Sequence, residues 1–376
     1  MSEILKNKIA YIYSDDLVTH CDKLPAMKNR ASIVHDLVRN YNLLSQENIV
    51  VVKPRDATED ELKSFHSSDY IDLLKSLNSF DTSLDNIEDN HLEFGLGYDN
   101  VIIENVFDFA SCLVGSSVSA ARLLAAKKCK TVINWFGGWH HAQRDSAAGF
   151  CYVNDIVIAI QIMSKFFDKI IYVDLDIHHG DGVQNAFEYS SKILTLSFHK
   201  YSQGFFPNTG NIDDIGQSQG KYYTMNIPLK DGVCDKTYVD IFNEVFSMVI
   251  ENFKAEALVV QCGGDGLIED PLGQCNLTLK GLGECINKIL KSDLPTLFLG
   301  GGGYNFPNTA RLWAYLTSLI LKTDLSNDIP DTCENFTLYE PSYELHIEPG
   351  RRKDYNTSEY IKELIKNIKL HCTYIR

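Results

Sequence analysis

Short apolar runs, most of them rich in Val, Ile and Leu, recur along this chain with helix-length segments between them. The runs are Lys8–Tyr13, Asn48–Lys53, Lys130–Trp135, Lys169–Asp176, Ile193–Phe198, Tyr222–Leu229, Ala257–Cys262 and Pro295–Gly300. A strand with one wet face alternates apolar and polar residues. A continuous apolar run needs cover on both faces, as the strands of a parallel sheet have. The helical segments are Ser32–Tyr41, Glu59–Ser76, Val101–Lys127, Asp155–Phe167, Lys236–Phe253, Leu279–Lys291, Asn308–Leu321 and Ser358–Leu370. This alternation predicts a three-layer α/β fold. Ser79–Asn90 and Leu325–Thr337 read as loops. With no repeat and no Pro/Ser-rich linker, one domain over residues 1–376 is expected.

Charge and cysteine usage narrow the function. Asp and Glu number 50 against 35 Lys and Arg, a net charge of −15, so phosphate is a poor ligand and direct nucleic-acid binding is not expected. The acidity serves solubility or attracts a basic partner. No two of the ten cysteines stand three apart, so no CxxC pair offers itself to zinc or to redox chemistry. The opening MSEILKNKIAYIY lacks a basic start and a cleavable apolar stretch, and no apolar run approaches the ~18 residues of a membrane span. A soluble, thiol-reduced intracellular protein with no membrane contact is expected.

Sites in open α/β sheets collect at the carboxyl ends of the strands. There the densest signal is YVDLDIHHGDGV, with Asp174, Asp176 and His178 two apart at the end of a strand and so projecting to one face. A salt-bridged strand end is the plainer reading, yet three ionisable groups on an apolar strand are dense for packing alone. Asp265, among glycines after Ala257–Cys262, occupies the equivalent place on another strand. Asp176, His178 and Asp265 make an O, N, O set suited to zinc or ferrous iron with one position left open. His140 and His141 follow Lys130–Trp135, and Asp174 and Asp181 are carboxylates able to pair with them as two His–Asp dyads. LGGGGYN matches no phosphate-loop pattern; it reads as close-packed backbone that places Tyr304, whose hydroxyl suits a developing oxyanion. Gly149–Phe150–Cys151 and Gly204–Phe205–Phe206–Pro207 fit the walls of a narrow slot. With no GxSxG elbow and no evident cysteine nucleophile, a metal-activated water attacking a carbonyl is the leading mechanism.

The collinear motifs INWFGGWHHAQRDSAAGFCYVNDI, IIYVDLDIHHGDGV, LTLSFHKYSQGFFPNTG, VVQCGGDGL and LFLGGGGYNFPNTARLWAYLT resemble those of the class I zinc-dependent histone deacetylases, from about Ala10 to Tyr343. The resemblance implies an arginase/deacetylase-like fold with a central eight-stranded parallel sheet and no regulatory C-terminal tail. It implies hydrolysis of N6-acetyl-lysine in histones and other proteins, with a role in chromatin and transcriptional regulation. Zinc would sit on Asp176, His178 and Asp265, with Fe2+ an alternative. His141 would be general base and then acid, paired with Asp181; His140 would be its companion, held by Asp174; Tyr304 would polarise the carbonyl. The Gly149 carbonyl would receive the substrate amide, Phe150 and Phe206 would wall the tunnel, and Leu272 and Asp99 would form the rim. Trp139 matches the same class, and Arg30 the arginine of an acetate-release channel. One K+ would use Asp174, Ser197 and Phe198 with the carbonyls of Asp176 and His178. A second would use Phe187, Ser190, Ile193 and Tyr223. Acetylated histone tails, and a cohesin subunit, are the implied partners, and nucleus and cytoplasm the implied locations.

The sequence departs from the family pattern at Phe136, Asn208, Gly264 and Gly266. The glycines are expected to loosen the third ligand, and the others to reshape the pocket. Two rival readings stay open: a related amidohydrolase acting on acetylated polyamines, and a silent acetyl-lysine binder or corepressor scaffold.

Overall fold

The computed structural model describes residues 8–79 and 89–375. Every apolar run contains or, for β5, begins a strand: β1 (Ile9–Ile12), β2 (Ile49–Val52), β3 (Thr131–Asn134), β4 (Ile170–Asp174), β5 (Ile193–Lys200), β6 (Thr224–Leu229), β7 (Ala257–Gln261) and β8 (Thr296–Leu299). They form one eight-stranded sheet in the order β2-β1-β3-β8-β7-β4-β5-β6, and each neighbouring pair is parallel.

Alternate strand residues serve two cores. Tyr11, Ile133, Ile171, Val173, Leu258, Val260 and Phe298 enter one; Ala10, Ile12, Val132, Tyr172, Val259, Leu297 and Leu299 enter the other. The two-residue period of a strand makes this division, which is why the runs are apolar throughout. Helices Arg30–Asn40, Asp235–Phe253, Leu279–Leu290, Phe306–Leu321 and Ser358–Cys372 close the first core. Asp15–Asp22, Ser68–Ser76, Val106–Ala125 and Asp155–Met163 close the second. The fold is therefore the three-layer arginase/deacetylase-like α/β arrangement. Each fully buried Leu, Ile, Val or Phe contributes about 1.5–3 kcal/mol, so both cores stabilise the sheet between its helical layers.

Two expectations change. The predicted helix Glu59–Ser76 is two, Glu59–Leu62 and Ser68–Ser76. Between them His66 is buried, its Nδ1 donating to Arg144 O at 3.2 Å and its Nε2 accepting from Asn154 N–H at 2.9 Å. Ser67 then caps the second helix by accepting from Tyr70 N–H. The other change concerns Val106–Ala125, which is long and apolar enough to cross a membrane, its best window having mean hydropathy 1.2. That window is 72% buried within the protein, so the helix is a core element here. Of the polar stretch Ser79–Asn90, residues 80–88 lie outside the described residues, and its end opens a short helix, Asp89–Glu93.

The chain segments of interest all leave the carboxyl ends of strands adjacent in the sheet. In the order β3, β8, β7, β4, β5 these ends lead to His140–His141, Tyr304, Asp265, Asp176–His178 and Phe206.

Candidate active site

Because β4 stops at Asp174, Asp176 and His178 lie in a turn beyond it and not along one strand face as their spacing predicted. Asp176 N–H donates to Asp174 Oδ1 at 3.1 Å and His178 N–H to Asp176 Oδ1 at 3.0 Å, so the carboxylates build the turn. Asp265 arrives from the loop after β7, its Oδ1 accepting Ile177 N–H at 3.1 Å. His178 Nδ1 then stands 2.9 Å from Asp265 Oδ2 and 3.3 Å from Asp176 Oδ1. One ligand atom from each of these three buried residues lies within 4.8 Å of the others. Gln261 Nε2 and Gly302 N–H fix the other oxygen of Asp176 at 2.7 and 2.9 Å. Side chains at Gly301 and Gly302 would collide with Gln261 and with the two carboxylates. The glycine run is close-packed backbone, as predicted.

This donor set fits a dication. Two carboxylates buried together are unfavourable without positive charge. Burial, then Asp176, raises the Asp265 carboxyl above its ordinary range. Burial would lower His178, but its bonds to Asp176 and Asp265 override this and push it up to about 10. The field that draws a proton to Nδ1 draws a metal to the same place.

Beside this cluster His140 Nδ1 meets Asp174 Oδ2 at 2.8 Å and His141 Nδ1 meets Asp181 Oδ1 at 2.8 Å. Their environments separate them. Burial opposes charge on His140, but Asp174 outweighs it, with Asp176, and pushes the imidazole up to about 9. Burial and the charge of His140 push His141 down to about 4. His141 is thus neutral, its Nδ1–H donating to Asp181 and its Nε2 left to accept.

His141 and His178 line a cleft of about 300 Å³ with Gly149, Phe150, Phe205, Phe206 and Tyr304, and with Asp99, Leu272 and Gln274 at its mouth. Phe205 stacks on His178 at 4.9 Å and 3°. Burial, then Asp265 and Asp176, holds the Tyr304 phenol far above its ordinary range, so it is a neutral donor. Cys151, beside Gly149, is buried and its thiol is pushed up chiefly by that burial, so it is no nucleophile.

Trp139 and Arg30 stand behind the cleft. Both line a cavity of about 20 Å³, the room of one water, with Phe136 and Trp313. Trp139 also lines a second such cavity under His141 and Tyr304. Arg30 donates to Gly303 O at 3.0 Å and lies over the Trp313 ring. Among the proposed K+ residues, Asp174 and Ser197 are register partners on β4 and β5, with Phe198 next in chain. Near the start of β5, Ser190 Oγ accepts Ile193 N–H at 3.3 Å and Ser190 N–H donates to Phe187 O at 2.8 Å. Tyr223 O, nearby, accepts Thr195 N–H at 3.0 Å.

The departures have local explanations. Phe136 stacks on buried His35 with centroids 4.4 Å apart. Asn208 sits at φ +66, a conformation asparagine tolerates better than most residues. Gly264 and Gly266 are enclosed: a Cβ would stand 3.2 Å from Thr309 Oγ1 in one case and 3.1 Å from Leu277 Cδ1 in the other. At both positions the neighbouring side chain already occupies the space that a Cβ would need.

Three supporting residues escaped the sequence reading. The Asp155 carboxylate accepts Gly138 N–H at 3.2 Å and Trp139 N–H at 2.9 Å. Asn154 Nδ2 donates to Ala142 O at 3.0 Å, so the two side chains clamp the backbone on both sides of the histidines. Gln261 is the third. Asp155 and Gln261 were marked as polar residues on otherwise apolar elements, DIVIAIQIM and ALVVQ, while Asn154 is the N-cap of the first, accepting Val157 N–H.

A buried dication site sharing its cleft with a neutral histidine, and no activated side-chain nucleophile among the described residues, defines a metal-dependent hydrolase. The histone deacetylase domain matches residues 24–320. Histone deacetylase 8 of Xenopus tropicalis is 45% identical over 366 residues, covering 97% of this chain and 98% of that protein. Histone deacetylase 8 of Danio rerio is 44% identical over 361 residues, covering 96% and 94%. Histone deacetylase 1 of Homo sapiens is 39% identical over 361 residues, covering 96% of this chain and 74% of that protein. The chain belongs to the histone deacetylase family, and its relatives are those of class I. It is a lysine deacetylase, which removes the reading as a silent binder.

Proposed function

We propose that the chain hydrolyses N6-acetyl-lysine in histones and other proteins to lysine and acetate at this cleft. The carrying observation is convergence: His141, His178, Gly149 and Tyr304 face one slot flanked by Phe150 and Phe206. The lysine methylenes lie between the two rings, and the Gly149 carbonyl accepts the amide N–H. A dication on Asp176, His178 and Asp265 supplies Lewis acidity when bound, polarising the acetyl carbonyl and acidifying a water. Zinc suits the set, and ferrous iron shares its ligand preferences. His141 Nε2 takes the proton of the attacking water. The Tyr304 hydroxyl donates to the oxygen as negative charge develops. His141 returns the proton to the amine as the C–N bond breaks, and His140, charged on Asp174, favours the negative transition state.

Asp99 at the mouth supports a peptide substrate, since a carboxylate accepts backbone N–H groups, but it would equally pair with the ammonium groups of an acetylated polyamine, so turnover of the two has to be compared. Acetylated histone tails are the first substrate class, supported by the names of the relatives; a cohesin subunit is a second. A role in chromatin and transcription, with action in nucleus and cytoplasm, belongs to the same reading. So do the K+ sites: Asp174 and Ser197 are neighbours across β4 and β5, which favours the first. The test is a deacylation assay comparing acetyl-lysine peptides with acetylpolyamines, using the parent and Tyr304→Phe. Peptide turnover that falls about 10²–10³-fold in the variant is expected. Preference for the polyamine, or an unchanged rate in the variant, removes the reading.

A further inference from the structure

Asp270 is a buried carboxylate, 6% exposed, that the chemistry above does not use. It lies on the rim segment after β7, two residues before Leu272. Its Oδ1 accepts Leu272 N–H at 2.9 Å. Its Oδ2 accepts Tyr304 N–H at 2.7 Å and Asn305 N–H at 3.2 Å. One side chain thus holds a residue of the cleft mouth and the backbone of the tyrosine at its floor.

The rest of the contact has the same character. Asn305 caps the helix Phe306–Leu321 by accepting Asn308 N–H, and its Nδ2 donates to Glu269 O at 3.4 Å. Asn308 Nδ2 donates to Ile268 O at 3.4 Å. The helix start and the 268–272 segment are therefore stitched by side chains at several points, with Asp270 bonded to Tyr304 itself. The described hydrogen bond of Tyr304 is made by its backbone, while its ring meets Phe150 edge-on at 5.6 Å. The direction of the phenol follows from where its backbone is held.

We propose that Asp270 is the positioning residue of Tyr304 and couples it to the rim, so that contact of a substrate with Leu272 bears on the placement of the hydroxyl. This rests on the reading of Tyr304 as donor to the developing oxyanion. A hydroxyl displaced by about 1 Å costs on the order of 10²-fold in rate, and a donor that acts only in the transition state shows in kcat and not in KM. An asparagine at this position keeps the shape, but its single carbonyl oxygen serves one side of the contact while its NH2 opposes an N–H on the other.

The test is a double-mutant cycle on zinc-loaded protein with an acetyl-lysine peptide, using the parent, Asp270→Asn, Tyr304→Phe and the double variant. Bound zinc and thermal midpoint are measured on each. Asp270→Asn is expected to lower kcat about 10- to 100-fold with KM within about twofold. In the Tyr304→Phe background it is expected to cost less than about threefold, because the hydroxyl it places is already gone. An equal factor in both backgrounds overturns the proposal and leaves the role of Tyr304 standing. A full rate in Tyr304→Phe alone overturns both. If Asp270→Asn does not fold, Asp270→Glu, which keeps the charge but displaces the acceptor, carries the same cycle with the same two outcomes.

Discussion

Gly149 and His141 leave no room between them for a methyl group: a Cβ on Gly149 would stand 2.6 Å from His141 Cδ2 and 2.8 Å from the Phe206 ring. Gly149 also sits at φ +50, where side chains are disfavoured. Gly149→Ala is expected to reduce kcat/KM by at least about 100-fold by turning the imidazole and narrowing the slot. Gly204→Ala is the control. Its Cβ meets nothing within 4 Å, so the cost of its φ of +78, about 1 kcal/mol, should appear in stability, and its kinetic loss, Gly204 also lining the cleft, should be far smaller than that of Gly149→Ala. Steady-state kinetics and unfolding curves on both variants decide; equal kinetic losses would mean that the steric contact is not the cause.

Removing the metal should cost stability as well as turnover. The carboxylates of Asp176 and Asp265 are buried side by side, and a bound dication stabilises the fold by about 2.7 kcal/mol at a hundredfold excess over Kd. Chelation is expected to lower the thermal midpoint by several degrees, and zinc or ferrous iron to restore it. Asp265→Asn should show the low midpoint with or without added metal. Scanning calorimetry with metal analysis checks this, and a midpoint insensitive to chelation would place the metal elsewhere.

Acid should weaken the fold through two histidines distant from the metal ligands. Burial, then Arg39, pushes His35 down to about 3, and burial pushes His66 down to about 4. An unfolded chain protonates its histidines near 6.5, so below that pH it binds protons that the fold refuses. Stability is therefore full above about 6.5 and falls as the pH drops toward 4. Each histidine contributes a loss of about 1–2 kcal/mol between pH 7 and 5. Urea unfolding at several pH values should show this slope, reduced in His35→Gln. A slope unchanged by that substitution would clear His35 of the effect.

Phe136 fills space that a smaller residue would open. Its ring stacks on His35 and lines the 20 Å³ cavity beside Arg30, Trp139 and Trp313. Phe136→Ala is expected to cost about 3 kcal/mol of stability, the usual scale for a buried aromatic. Because the ring lines only the cavity behind the cleft, kcat should change by less than about threefold. A large kinetic loss at unchanged stability would place Phe136 in the turnover path.

The strands were legible because burial on both faces leaves few polar residues to blur them, and all eight runs contain or overlap one. The helix break at His66 was not legible, since its cause lies in Arg144 and Asn154, far along the chain. Asp176, His178 and Asp265 were found from composition at strand ends, although the turn that converges them follows from hydrogen bonds that spacing does not encode. Two positions that matched the family, Arg30 and Trp139, lie behind the cleft and not along it. Gln261, Asn154 and Asp155 serve through backbone and carboxylate contacts, which no side-chain motif announces.

The order of the strands also sets when this enzyme can exist. Thr131 of β3 lies against Thr296 of β8, and Ile170 of β4 against Ala257 of β7. The centre of the sheet is thus built from pieces that leave the ribosome far apart in time. Asp176 and His178 must wait for Asp265, and the strand that leads to Tyr304 is the last to be made. A nascent chain short of Asp265 cannot close its metal set, and one short of β8 leaves β3 and β7 without the strand between them. The site is therefore assembled from strands distant in the chain, and pairing over such separations is intrinsically slow.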